Sequence, residues 1–245
     1  MAELALVKEK AKWRSVQWRQ PLATGYIHVA AAVDPPRQPG PPFPRRSERR
    51  AAMLNRLKQT AAALERLQAV ERATLYRAVL VPPAEPAAAH PARFDVAALI
   101  ETASTEAIGA VQGSGAYREL VDTVQDGARD MHVMTARCAR LIADVDKSRR
   151  GLYLFNHFAA EDAGLALELW ERLAGWYVAE TGLDNSTLLQ PIGAADYVFV
   201  NHARWDHGLL RLMLEQFARP SFWTYVRANL RANRTVAMPV LYRLA

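Results

Sequence analysis

Two histidines stand inside short runs of β-forming residues: His28 in Tyr26 to Val33 (YIHVAAAV) and His157 in Leu152 to Phe158 (LYLFNHF). An imidazole so placed can serve as an acid or base near neutral pH. A lone strand histidine is more often a hydrogen-bonded core or rim residue. The neighbouring carboxamide of Asn156 competes with His157 for the same cavity, because successive strand residues face opposite sides of a sheet. If Asn156 looks inward it brings Leu152, Leu154 and Phe158; if His157 does, it brings Tyr153 and Phe155. A second run, Tyr197 to Trp205, carries Tyr197, Phe199, Asn201 and Trp205 on one parity against Val198, Val200 and His202. The aromatic and amide set suits a cavity lining, and the valines suit a layer facing helices.

Other arrangements are empty. No G-x-S-x-G elbow occurs, and Gly113-Ser-Gly115 lacks the third glycine and the strand-to-helix setting of a dinucleotide fingerprint. The six histidines show no metal-ligand spacing, so no metal site is expected. Cys138 is the single cysteine and can make neither an internal disulfide nor a thiolate cluster. Glu161-Asp162 reads as charge complementing a helix N-terminus, not as an acid/base pair.

The elements that position these residues follow from two proline-dense breaks, Asp34 to Pro44 and Pro82 to Pro91, both expected as surface loops. Around them lie a β run at Tyr26 to Val33, a helix capped by Ser47, and β runs at Leu75 to Val81 and Phe94 to Ile100. A helix from Ser104, interrupted near Gly113, and a β run at Met131 to Cys138 complete the first half. After the polar stretch Asp144 to Arg150 the order returns: Leu152 to Phe158, a helix over about Glu161 to Thr181 ended by Gly182, then Thr187 to Pro191 and Tyr197 to Ala203. A helix capped by Asp206 and continued from Pro220, and a strand over Val236 to Leu244, close the set. Each half reads β-α-β-β-α-β, the ferredoxin-like unit, whose bare sheet face must be covered. The expected organisation is an N-terminal arm (1–25), unit 1 (26–141), a connector (142–151) and unit 2 (152–244). The fold class is α+β, with the two tandem units packed sheet to sheet as an intramolecular barrel around a cavity.

With 245 residues, 51% apolar and 23% charged, the chain has the composition of a folded globular protein. It holds no run long enough to span a membrane and no signal h-region at its start, so no membrane partner and a cytoplasmic location are expected. The net charge of +6 is uneven: residues 1–77 hold 15 Lys/Arg against 6 Asp/Glu, and the remainder 16 against 19. Lys8, Lys10, Lys12, Arg14 and Arg19, interleaved with Trp13 and Trp18, have the residue types that touch phosphates and stack bases. With no nucleic-acid module beside them, they read instead as an arm folded over the body by its tryptophans, with no nucleic-acid partner.

Residues 26–244 resemble the dimeric α+β barrel superfamily, which includes antibiotic-biosynthesis monooxygenases and haem-degrading enzymes. The resemblance is carried by Phe94 to Ala107 (FDVAALIETASTEA) with Ser114 to Leu120 (SGAYREL), and by Leu152 to His157 with Tyr197 to Trp205. It implies a cavity lined by an Asn on the first strand of a unit and a Trp near the end of the third, where Asn156 and Trp205 stand. It further implies that these two are catalytic, with Tyr197, Phe199, Asn201, Leu154 and Phe158 around the substrate. A carboxamide can hold a substrate carbonyl or a reduced-oxygen species, and an indole N–H supplies one directional donor. The axial histidine of the haem-degrading members has no counterpart in Phe222 to Asn229. The leading expectation is therefore a cofactor-independent monooxygenase or related oxidoreductase of specialised metabolism, acting on an apolar or aromatic small molecule. A haem-binding protein using His157 or His28, and a non-catalytic ligand-binding or scaffold protein, are the alternatives; monomer and homodimer both fit.

Overall fold

The computed structural model describes residues 3–245. Eight strands form: β1 (Gly25–Ala32), β2 (Val70–Leu80), β3 (Val96–Thr102), β4 (Asp130–Leu141), β5 (Leu152–Ala159), β6 (Ser186–Pro191), β7 (Phe199–Trp205) and β8 (Val236–Leu244). The helices are α1 (Glu48–Leu64), α2 (Ile108–Gln112), α3 (Gly115–Gly127), α4 (Ala163–Thr181), α5 (Leu209–Phe217) and α6 (Ala228–Ala232). A π-helical stretch, Phe222–Arg227, runs directly into α6. Side-chain caps start the long helices: Ser47 accepts from the Arg50 amide, Ser114 from Tyr117 and Asp162 from Leu165. Gly182, at φ +64°, ends α4 in the left-handed conformation.

The strands close in the order β1-β3-β2-β8-β5-β7-β6-β4, and every neighbouring pair is antiparallel. The halves thus join edge to edge, β2 to β8 and β4 to β6, and closure leaves no free sheet edge. Register reveals a pseudo-two-fold relation. His28 lies between Leu99 and Met134 on its flanking strands, as His157 lies between Val200 and Met238.

An eight-stranded barrel is just wide enough for its interior to be filled by side chains. Tyr26, Tyr76, Phe94, Tyr153, Phe155, Tyr197 and Tyr242 fill it here, all buried. Phe155 stacks at 4.2 Å on His202 and at 4.6 Å on His28. The cavity expected between the sheets is instead this packed aromatic interior. The outer faces of the two halves carry separate cores against their helices, aliphatic around α1 and α3, tryptophan-rich around α4.

Some bounds move. β2 starts at Val70, five residues before the expected Leu75, and β7 starts at Phe199 and runs through Trp205. α5 is preceded by Gly208 as its N-cap, without a side-chain cap from Asp206. Both proline-dense segments are irregular loops.

The N-terminal arm folds over unit 2. Trp13 is 2% exposed, and its indole N–H donates to Glu180 at 3.0 Å. Among the described residues no helix is long and apolar enough to cross a membrane.

Candidate functional site

Period-two alternation places Tyr153, Phe155 and His157 inside the barrel and Leu154, Asn156 and Phe158 outside, beneath the helices of unit 2. His157 and His28 meet at the pseudo-two-fold, Nε2 to Nε2 at 3.2 Å, so one neutral ring donates and the other accepts. Phe94 and Tyr197 pack on His157 with ring centroids 5.5 Å and 4.8 Å away. His132, which the sequence reading did not single out, donates its Nδ1–H to Asp196 Oδ2 at 2.9 Å and closes this cluster. His202 sets its own tautomer. Its Nδ1–H donates to the Leu154 carbonyl (3.0 Å), which leaves Nε2 to accept from the Tyr76 hydroxyl (3.3 Å). Burial lowers all four, His157 and His202 to about 3. The Nε2 atoms of His28 and His157 are spent on each other and the rings are enclosed, so these residues do not fit an axial role toward a haem.

The expected site residues lie on the other face. Asn156, Trp205, Asn201, Leu154 and Phe158 converge, but on a small enclosed chamber of about 50 Å³ between the β5–β8 sheet and α4, not inside the barrel. Trp170, Leu173 and Tyr177 of α4 and Val226 of the π-helical stretch supply the opposite wall. Phe199 packs on Phe158 at 4.7 Å in this layer. Tyr197 departs from the set: it lies in the bend before β7, where strand alternation does not hold, and turns into the barrel with its hydroxyl on the His90 carbonyl at 3.1 Å. The parity grouping was right for residues 199–205, but which face is the barrel interior was reversed. The helices bring their own bulk, Trp170 and Trp176, whereas the barrel must be filled by strand side chains alone.

Polar groups in the chamber are few. Asn201 Oδ1 accepts from the Ser186 hydroxyl at 2.5 Å. The Trp205 indole N–H donates to Thr181 Oγ1 at 3.2 Å, and Thr181 in turn donates to the Tyr177 carbonyl at 2.7 Å. The expected free indole donor is therefore committed to holding the end of α4. Asn156 Oδ1 is buried without a partner, an acceptor in an apolar setting that a ligand's O–H or N–H would satisfy. Burial pushes the Tyr177 phenol well above its usual value, with the Arg227 guanidinium pulling the other way.

A second, larger cleft of about 610 Å³ shares Leu230 and Ala237 with the chamber as a common wall. Its floor is apolar, including Ala159, Ala160 and Val236, and its rim carries Arg227, Arg231, Arg234, Glu85 and Glu161. Leu230 and Arg231 went unnoticed in the sequence, where a short polar helix end gives no sign of facing a cleft. Among the described residues no group of three or more His, Cys, Asp and Glu side chains is arranged to hold a metal ion.

No protein-family model and no curated protein matches the chain. Its backbone is similar to that of an anthrone oxidase-like protein, at 10% identity and a TM-score of 0.63 over 91% of each chain. A protein assigned as a monooxygenase from Lactobacillus acidophilus NCFM gives 9% and 0.50 over 90% of this chain and 94% of that one. Another, from Fusobacterium nucleatum subsp. nucleatum ATCC 25586, gives 7% and 0.53 over 90% and 91%. The chain has the dimeric α+β barrel fold, with both halves of the barrel supplied by one polypeptide. At these identities the likeness is one of fold, and the site must argue for itself.

Proposed function

We propose that the chain is a monooxygenase-like oxidoreductase of apolar or aromatic small molecules, with its reacting centre at Asn156 in the unit 2 chamber. The observation that carries this reading is the unpartnered, buried Oδ1 of Asn156 in a mostly apolar enclosure whose Asn201 oxygen and Trp205 N–H are already engaged. In a cofactor-free scheme a phenol- or enol-acidified substrate loses a proton and its carbanion reduces dioxygen. The resulting peroxide then loses water: a CH2 and O2 give a C=O and H2O. Asn156 accepts the substrate O–H in the ground state. Turned over, its amide donates to the anionic oxygen that follows, in a setting where apolar walls exclude water.

Oxygen uptake with an anthrone as substrate tests the reading. Asn156→Ala is expected to lower turnover about 10- to 100-fold while leaving the unfolding free energy within about 1 kcal/mol, since it removes an acceptor that has no partner. Trp205→Phe is expected to cost about 1 kcal/mol of stability through the lost Thr181 bond. Unchanged uptake by Asn156→Ala would end this reading. A second reading, ligand binding without turnover, is favoured by the engagement of the Trp205 N–H with Thr181, which leaves few donors for a reacting oxygen. Saturable binding of the anthrone with no oxygen uptake by the parent protein would select it.

A further inference from the structure

We propose that the ligand of the Asn156 site is an anion, an aromatic or aliphatic carboxylate whose charged group is bound at Arg231 on the rim of the neighbouring cleft. The inference rests on the site assigned above and concerns the class of molecule it takes.

Size comes first. Small-molecule sites enclose roughly 300–1,000 Å³; the chamber at about 50 Å³ admits only the end of a ligand, whereas the cleft at about 610 Å³ accommodates a body. Leu230 and Ala237 line both, so the chamber and the cleft lie back to back, and the proposed ligand passes between them at these two side chains. A molecule that reaches Asn156 at one end lays its other end among the arginines.

Charge decides what that end is. Arg227 at the end of the π-helical stretch, Arg231 in α6 and Arg234 just past the end of α6, at φ +48°, all line the cleft. Arg227 is held by Glu85 at 3.0 Å, and Arg234 lies 3.6 Å from Glu161 with both side chains 81% exposed, a pair worth little in water. Arg231 is exposed and has no ion-pair or hydrogen-bond partner among the described residues. Three guanidinium groups against two carboxylates leave the rim with a positive excess above an apolar floor. A planar carboxylate is matched by the guanidinium fork.

The test compares 6-hydroxy-2-naphthoate with 2-naphthol, which share the ring system and hydroxyl and differ in the carboxylate. Binding is read from quenching of tryptophan fluorescence, since Trp170 and Trp205 line the chamber. The naphthoate is expected to bind about tenfold more tightly than the naphthol. Arg231→Gln is expected to erase most of that margin without altering the naphthol, and added salt to weaken the naphthoate alone. Glu85→Gln, which frees Arg227, is expected to tighten the naphthoate. Equal binding of the two probes, or a naphthoate preference untouched by Arg231→Gln, would overturn the anion subsite and leave the Asn156 site standing. Binding of neither probe, or binding of both unaffected by Asn156→Leu, would overturn the site assignment and this inference with it.

Discussion

Imidazoles inside the barrel are kept neutral because no water and no carboxylate reaches most of them. His157 and His202 have their pKa lowered to about 3, and His28 is also pushed well below its usual value, by burial first; second comes the Lys147 ammonium for His202 and the neighbouring imidazoles for His28 and His157. In the unfolded chain each returns to about 6.5. Between these values the unfolded state binds protons that the folded state refuses, so stability is full above pH 6.5 and falls as the pH drops toward 3. The slope is about 1.4 kcal/mol per pH unit for each such residue. Urea midpoints at pH 7.5 and 4.5 should show that loss, and the double variant His28→Leu/His157→Leu should show a shallower pH dependence than the parent. An unchanged slope would mean that these rings already carry protons in the folded state. At this scale the sequence displayed which residues share a face, as the alternation of Asn156 with His157 shows. It did not display which face is which, because both are buried in this fold, one against helices and one in the barrel. Nor did it show that the indole of Trp205 is taken by Thr181, a partner 24 residues away on another element.

Elements legible in the sequence were those with strong caps or long periodicity: α1 behind Ser47, α4 ended by Gly182, and the strand Val236 to Leu244; the helix expected from Ser104 begins instead at Ile108, and its continuation is a separate helix, α3, capped by Ser114. The π-helical stretch was not, since its extra residue per turn leaves no mark in a short apolar run, although such stretches recur at functional sites. The arm was read as a cover held by its tryptophans, and Trp13 does hold it; the part played by two asparagines is visible only in three dimensions. Asn233 and Asn229 use their amides as a side-chain ladder, each donating to and accepting from the backbone of Ala5 and Val7 at 2.7–2.9 Å. Trp13 packs on Tyr225, the rings tilted with centroids 4.4 Å apart, and passes so close to α4 that a Cβ on Gly175 would stand 1.6 Å from its carbonyl oxygen. Gly175→Ala must therefore displace the arm. The expected outcome is a red-shifted tryptophan emission, faster proteolysis within residues 3–21 and a loss of about 1–3 kcal/mol. A variant with the parent's emission and stability would show that the arm can shift without losing its seat.

Closure of the whole molecule depends on two seams, β2–β8 and β4–β6, each with a register shift on the first-half strand, at Ala78/Leu80 and at Cys138/Arg140. Bulges bend and twist strands where a sheet must curl into a barrel. The tandem order of the halves makes both seams intramolecular, and the connector between them does more than join. From it Lys147 enters the barrel end and donates to Glu101 Oε1 and the Val145 carbonyl, both at 2.9 Å, with Asp144 at 3.4 Å. Both members of the Lys147–Glu101 pair are buried. Burial raises the Glu101 carboxyl above its ordinary value, and the Lys147 ammonium pulls it back. Removing one partner strands the other's charge in a poorly solvated place, whereas removing both does not. Lys147→Met is therefore expected to lose about 3–5 kcal/mol in urea unfolding at pH 7, and Glu101→Leu added to it to restore much of that loss. If the double variant is no more stable than Lys147→Met alone, the lysine holds the barrel end through the connector's backbone contacts and not through its charge. The ion pair would then be a consequence of closure instead of one of its causes.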